Sequence, residues 1–367
     1  MTNKTFNRKL LHIKPISERK NKVFIEKDYI HPNTQYRAFS ENELKILNET
    51  ISKIKNAKDN RKPIILTFGA HSIKNGLGPI IIQLMNNGWL THLATNGAGV
   101  IHDWEFSYLG ESSEDVRTNV KLGEFGTWLE TGFYINLAII LGAFEGIGYG
   151  ESVGKMIELE SLSIPTVEYL KEFVRDTMDK PTQKTAAAVD LITTIKQFNL
   201  AHGEISIPHK FKNFSVQAAA YKLGVPFTAH PMFGHDIIYT HPINNGAAIG
   251  RTAEKDFLTF AESISNIENG VYLSIGSAVM SPMVFEKSMS MAQNIALQNG
   301  TNITNHYILV ADLAENSWDW NKNGEPPMNN PAYYLRYCKT FNRMGGSMNY
   351  LTIDNRDLLL YLVQNLI

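Results

Sequence analysis

Apolar residues in this chain gather into short, partly β-branched runs of four to six positions. They stand at residues 63–68 (PIILTF), 91–95 (THLAT), 204–207 (EISI), 226–229 (PFTA), 271–275 (VYLSI), 306–311 (HYILVA) and 349–353 (NYLTI). Between them lie stretches whose apolar positions recur at helical spacing: residues 78–87, 165–178, 214–224, 254–267 and 282–300. Such continuous apolar runs suit strands buried on both faces, and alternation with helices predicts a parallel sheet covered on each side. Ahead of this rhythm, residues 40–54 (SENELKILNETISKI) predict a helix with Ser40 as N-cap and Glu43 closing a capping box. Residues 1–40 are polar and irregular, and read as an arm that packs on another surface or stays mobile. With no internal repeat or low-complexity linker, the expected organisation is an N-terminal arm and helix (residues 1–60) followed by one α/β domain (residues 61–367). Residues 135–143 (INLAIILGA) fit a helix or a strand equally well, and Gly146, Gly148 and Gly150 after them read as a connection rather than a phosphate cradle.

Composition narrows the setting. The chain has 367 residues, 43% hydrophobic and 19% charged, an ordinary globular balance with ample core. A net charge of -1 gives no field to collect nucleic acid or an anionic membrane. Cys338 is the single cysteine, which rules out an internal disulfide framework and suits a reducing, cytoplasmic compartment. The basic N-terminus lacks the apolar run of a signal peptide, and residues 135–143 are far short of the roughly 20 residues needed to span a bilayer.

Chemistry concentrates where the predicted strands end. In an open parallel sheet, ligands bind beyond the carboxyl ends of the strands. The first strand runs into Gly69, His71, Ser72, Asn75 and Gly76, and the second, ending at Thr95, into Asn96, Gly97, Gly99, His102, Asp103 and Glu105. Residues 226–229 lead to His230, Gly234, His235 and Asp236; residues 271–275 to Gly276 and Ser277; and residues 306–311 to Asp312. Glycines here would let a flat or phosphorylated ligand approach the backbone, although tight turns explain glycines as readily. No G-x-G-x-x-G follows a predicted strand and no phosphate-loop motif occurs. His102, Asp103, Glu105, His230, His235, Asp236 and His241 also supply the side chains of a zinc or iron site, which would make a metal-dependent hydrolase. Against that, no HExxH and no i, i+4 histidine pair occurs. Trp318 and Trp320 either stack on a planar ligand or pack in a loop, and Cys338 reads as a buried, inert thiol.

Taken together, TFGAHSIKNG, HLATNGAGVIHDWEFSYLGE, PFTAHPMFGHD, VYLSIGSAV, ADLAENSWDW and PAYYLRYCK resemble the corresponding segments of the deoxyhypusine synthase family. The resemblance runs from about Lys62 to the C-terminus and is clearest at strand ends. It implies an α/β, Rossmann-like sheet with helices on both faces, NAD as cofactor, and a homo-oligomer, commonly a tetramer. By position it implies that Ser72, Asn75, Gly76, Thr95, Asn96, Gly97, Gly99, Asp236, Gly276, Ser277 and Asp312 face the cofactor. His102, Asp103, Glu105, His235, Trp318 and Tyr337 would then face substrate, and Lys339 is placed on the family's reactive lysine, with no metal. Departures fall on the groups that grip polyamine: Ile101 and His102 stand where the family has glutamates, Ser281-Pro282 where it has paired histidines, and Tyr333 where it has a glutamate. The implied reaction is that of a deoxyhypusine or homospermidine synthase. NAD would oxidise an amine-bearing carbon, Lys339 would hold the aminobutyl-type fragment of a polyamine-like donor as a Schiff base, and an acceptor amine would take it. A homologue that binds NAD without catalysis is the third reading.

Overall fold

The computed structural model describes residues 3–367. Its strands in chain order are β1 (Asn21–Phe24), β2 (Ile64–Phe68), β3 (His92–Thr95), β4 (Glu111–Glu114), β5 (Ser161–Ile164), β6 (Gly203–Ser206), β7 (Phe227–Ala229), β8 (Val271–Ile275), β9 (Tyr307–Asp312) and β10 (Ser347–Thr352). Six of them form one sheet in the order β10-β9-β8-β2-β3-β7, every pairing parallel. Numbered by their own succession along the chain, these six read 3-2-1-4-5-6 across the sheet, starting from β7. The topology reverses between β2 and β8, the place where open parallel sheets bind ligands beyond their carboxyl ends.

Helices cover both faces, and alternate strand residues feed two separate apolar cores. Ile64, Leu66, Phe68, Leu273, Ile275 and Leu309 join the larger one. Ile65, Tyr272, Ile308 and Val310 join the smaller one, together with Phe260, Phe285 and Phe341. Residues 135–143 resolve as helix, inside Leu129–Glu145, with a run of buried positions from Ile135 to Phe144. Burial on nearly all sides explains why no amphipathic period marks it in the sequence. No single helix among the described residues is long and apolar enough to cross a membrane.

One strand assignment needs correcting. Residues 204–207 do not enter the parallel sheet; β6 pairs antiparallel with β5 in a separate two-stranded ribbon. Its residues are mostly exposed, so it lacks the double burial that the other runs have.

Helix Glu41–Asp59 carries the capping box that Ser40 and Glu43 predict, and buries Leu47, Ile51, Ile54 and Ala57 in the larger core. The segment before it is packed as well. β1 pairs antiparallel with β4, Ile16 and Ile25 are buried, and Arg8 donates to the Tyr239 carbonyl at 2.7 Å.

Candidate functional site

Two clusters form at the carboxyl edge of the large sheet. The first lies at the topological switch. The Gly69 amide donates to the Ile275 carbonyl at 3.0 Å, and a β-carbon on Gly69 would stand 2.1 Å from the Gly276 carbonyl oxygen. Two loop backbones are therefore in direct contact. Gly276 has φ +56° and touches the Asn355 amide, which in turn donates to Ser72 Oγ at 3.1 Å. Ser277 follows and accepts from the Ser281 amide at 3.2 Å, while Asp312 closes β9 next door. Asn355 was not among the residues expected from sequence. Its signal in the sequence is its place at the head of the helix that follows the strand at residues 349–353.

The second cluster surrounds a cavity of about 210 Å³. Its walls come from Lys74 after β2, from Ala98, Ile101, His102 and Glu105 on helix Gly97–Leu109 after β3, and from His235, Asp236 and Ile237 after β7. β4 and the arm close it with Glu114 and Arg19.

Arg19 and Glu105 form an ion pair of 2.6 Å with side chains only 1% and 2% exposed. Glu105 also accepts from Thr131 Oγ1 at 3.1 Å and from Ser112 Oγ at 2.5 Å. Burial by itself would raise the Glu105 carboxyl, but Arg19 and the Ser112 hydroxyl outweigh it and the net shift is downward. A carboxylate can only accept, so the Ser112 proton is committed to Glu105. The 2.7 Å contact between His102 Nδ1 and Ser112 Oγ must then carry the proton of Nδ1. Burial lowers the His102 pKa, so the ring is neutral and Nε2 is left as a proton acceptor. Glu105, Ser112 and His102 thus make a relay that fixes one tautomer on the cavity wall.

Asp236 sits against the start of helix Gly97–Leu109, close enough that a β-carbon on Gly97 would meet its Oδ2 at 2.0 Å. Oδ2 is buried without a hydrogen-bond partner, and burial pushes this carboxyl up to about 7. Tyr149 and Tyr239 hydroxyls are likewise buried and unpartnered, and both phenols are raised by burial with a contribution from Asp236.

Other expected residues are placed elsewhere or are already occupied. Asp103 is turned away: its carboxylate accepts from Ser215 Oγ, the Val216 and Gln217 amides and Gln217 Nε2 at 2.6–3.1 Å, capping helix Val216–Leu223. That set fills its acceptor sites, so it grips no substrate. Thr95 Oγ1 donates to the Phe68 carbonyl at 2.9 Å and packs on Gly99, and the Asn96 side chain caps the Gly99 amide. Gly76, φ +77°, packs on the backbone of Asp28 and Tyr29, and Asn75 is an exposed helix end beside it. Gly76 thus serves the arm, whose Ile30 amide donates to its carbonyl at 2.9 Å. Trp318 bonds the Gly324 carbonyl through Nε1 at 2.8 Å and lines a groove along edge strand β10. Tyr337 reaches Tyr350, hydroxyl to hydroxyl, at 3.3 Å. Lys339 lies on helix Arg336–Asn342, whose Cys338 and Phe341 fill the smaller core, on the face of the sheet opposite the cavity helices. Its Nζ stands 3.4 Å from the centre of the Tyr333 ring and 3.7 Å from Glu325. Within one chain, neither Trp318, Tyr337 nor Lys339 joins the cavity.

Of the histidines in the hydrolase reading, His102 and His235 line the cavity with Glu105 and Asp236, and the other two lie elsewhere. His230 bonds Thr228 inside the sheet, where burial lowers it to about 3, and His241 Nδ1 accepts from the Ile243 amide. Among the described residues no three of His, Cys, Asp and Glu gather to hold a metal ion.

No family model matches the chain, and no curated protein matches it. Solved structures with a related arrangement include a ternary complex of AgrE with ornithine and NAD+, at 12% identity and TM-score 0.42 over 90% of this chain and 34% of that one. Another is a conserved putative LOR/SDH protein from Methanococcus maripaludis S2, at 10% identity and TM-score 0.42 over 91% of this chain and 70% of that one. A third is ArgZ, an arginine dihydrolase from the ornithine-ammonia cycle in cyanobacteria, at 14% identity and TM-score 0.41, covering 90% of this chain and 33% of that one. This chain therefore spans about a third of the length of the first and third of these proteins.

Proposed function

We propose that this chain is an NAD-dependent enzyme acting at an amine-bearing carbon, with the cofactor at the switch point and the substrate in the neighbouring cavity. The observation that carries the reading is the position of the His102 cavity, beyond the carboxyl ends of β2, β3 and β7 and beside the reversal of a 3-2-1-4-5-6 sheet. The residues present fit a dinucleotide. Gly276 leaves exposed backbone at the switch point, Gly69 lets the two loops close on each other, and Ser277 and Asp312 supply hydroxyl and carboxylate partners beside it, with Ser72 buried behind them. Those five, with Asn355 holding Ser72 and Gly276 together, would hold the cofactor. NAD, when bound, supplies a hydride acceptor.

The protein's own part is proton handling and orientation. His102 Nε2 takes a proton from the substrate amine as the carbon is oxidised, and Glu105 stabilises the resulting imidazolium through Ser112. Helix Gly97–Leu109 holds His102 and Glu105 on one face at i and i+3, so relay and cavity wall are built by the same turn.

The finer reading, transfer of an aminobutyl-type group through Lys339, receives less support from a single chain, because Lys339 packs across the sheet against Tyr333 and Glu325. It requires Lys339 of a second copy in a homo-oligomer. Exposed Val116, Val120 and Leu122 beside the cavity mouth support such an assembly.

The test is NADH formation at 340 nm with a panel of amines, in wild type and in His102→Gln. The proposal expects amine-dependent reduction that falls by roughly 10²–10⁴-fold in the variant. Undiminished turnover in His102→Gln, or none in wild type with any amine, counts against it.

A further inference from the structure

We infer that the cavity takes a substrate bearing a carboxylate beside its amine, an amino acid rather than a polyamine, with Arg19 as the carboxylate-binding residue. This rests on the reading of the cavity as a substrate site and goes beyond it in naming the substrate class.

The argument starts from which charges are already spent. A polyamine is a polycation and needs uncommitted carboxylates along its length. Glu105 is neutralised by Arg19. Glu114 accepts from Asn119 at 2.6 Å, the Gly126 amide at 3.2 Å and Trp128 Nε1 at 3.0 Å. Asp103 faces another helix altogether. Only Asp236 keeps a free oxygen, while Arg19 and Lys74 bring positive charge to the same wall. Threading a second or third ammonium through this cavity would set it beside Arg19 and Lys74, against Glu105 and Glu114 oxygens already engaged by Arg19, Ser112, Thr131, Asn119, Gly126 and Trp128.

Arg19 supplies the complementary half. Its Nη1 is committed to Glu105, but Nε and Nη2 are buried and make no hydrogen bond. A guanidinium presents these donors in a planar fork that matches a carboxylate. The Trp128 ring, whose centre lies 5.9 Å from Arg19 Cζ, covers the guanidinium without accepting from the fork. Arg19 and Asp236 both belong to the wall of one cavity of about 210 Å³, and each carries buried polar atoms without a partner, two donors on Arg19 and one acceptor on Asp236. Leaving such groups desolvated and unpaired is costly, and an amino acid answers both: carboxylate to Arg19, with Lys74 adding charge, and amine to Asp236. The apolar walls, Ile101, Val116, Phe125 and Ile237, would take the side chain.

The experiment compares ligand pairs that differ only in the carboxylate. L-lysine against 1,5-diaminopentane, and L-norvaline against butan-1-amine, are titrated calorimetrically into the full chain without cofactor, in wild type and Arg19→Lys. The lysine variant keeps a cation for Glu105 and loses the fork. The expected result is that at least one amino acid binds tenfold or more tighter than its amine partner, and loses tenfold or more in Arg19→Lys. The wild-type comparison stands alone should the variant fail to fold. Equal or tighter binding of the diamine, or no binding of either amino acid, overturns the inference. Because NAD is absent from these titrations, carboxylate-dependent binding in a protein that ignores NAD would sink the cofactor reading and leave this one intact, and the converse outcome separates them equally well.

Discussion

Replacing Glu105 by alanine strands a guanidinium that has almost no contact with water. The pair is 2.6 Å long, both side chains are 2% exposed or less, and Glu105 holds Ser112 and Thr131 as well as Arg19. Breaking one partner of a buried ion pair costs about 3–5 kcal/mol. Unfolding entropy near 60 °C is about 2.1 cal/mol/K per residue, or roughly 0.8 kcal/mol/K for 367 residues, so the expected drop in Tm is about 4–6 °C. The paired replacement Arg19→Met with Glu105→Leu removes both charges and should recover most of that loss, because the desolvation cost disappears with the attraction. pH gives an independent check. Glu105 has its folded pKa below the unfolded value of about 4.3, so its stabilisation is complete above that pH and is lost as pH falls through the lower, folded pKa. Differential scanning calorimetry of the three proteins between pH 3 and 8 reads all of this. A Glu105→Ala variant within about 1 °C of wild type at pH 7 would refute the burial of this ion pair, and with it the oriented relay.

Other expectations follow from the same geometry. Ser112→Ala cuts the link between His102 and Glu105 while leaving the fold, so kcat should fall roughly 10–100-fold with little change in KM, and an unchanged kcat rejects the relay. Asp236 is raised to about 7, so its contribution to stability is complete below the unfolded carboxyl pKa of about 3.9 and is lost as pH rises through 7. Asp236→Asn should therefore gain Tm relative to wild type between pH 5 and 8, and parallel curves would contradict the burial. Gly276→Ala places a β-carbon at φ +56° and 2.7 Å from the Asn355 amide, so denaturation should show a loss of about 1–2 kcal/mol, and cofactor affinity should fall with it.

The sheet was largely legible because its strands are buried on both faces and leave continuous apolar runs, as in residues 63–68 and 306–311. Residues 204–207 look the same locally, but their partner is β5, and nothing in four residues encodes which strand they meet. Strand ends in the sequence mark His102, Glu105, Asp236, Gly276 and Ser277, and all five lie at the carboxyl edge. Contacts made at long range leave no such mark. Arg19 meets Glu105 across 86 positions, and Asp103 caps a helix 112 positions away. Neither pairing has a local signature, since a helical carboxylate looks alike whether it faces a ligand or another helix. Lys339, Trp318 and Tyr337 were placed by resemblance, which speaks of position along the chain and not of which face of the sheet a late helix covers.

The measurement that bears most directly on the central claim is a calorimetric titration of wild-type protein with NAD+ and NADH. The account predicts saturable binding of one dinucleotide per chain, with a Kd on the order of typical enzyme KM values, about 1 µM–1 mM, weakened in Gly276→Ala and unaffected by Lys339→Ala. Absence of saturable binding by either form at about 1 mM, the upper end of that range, would contradict it.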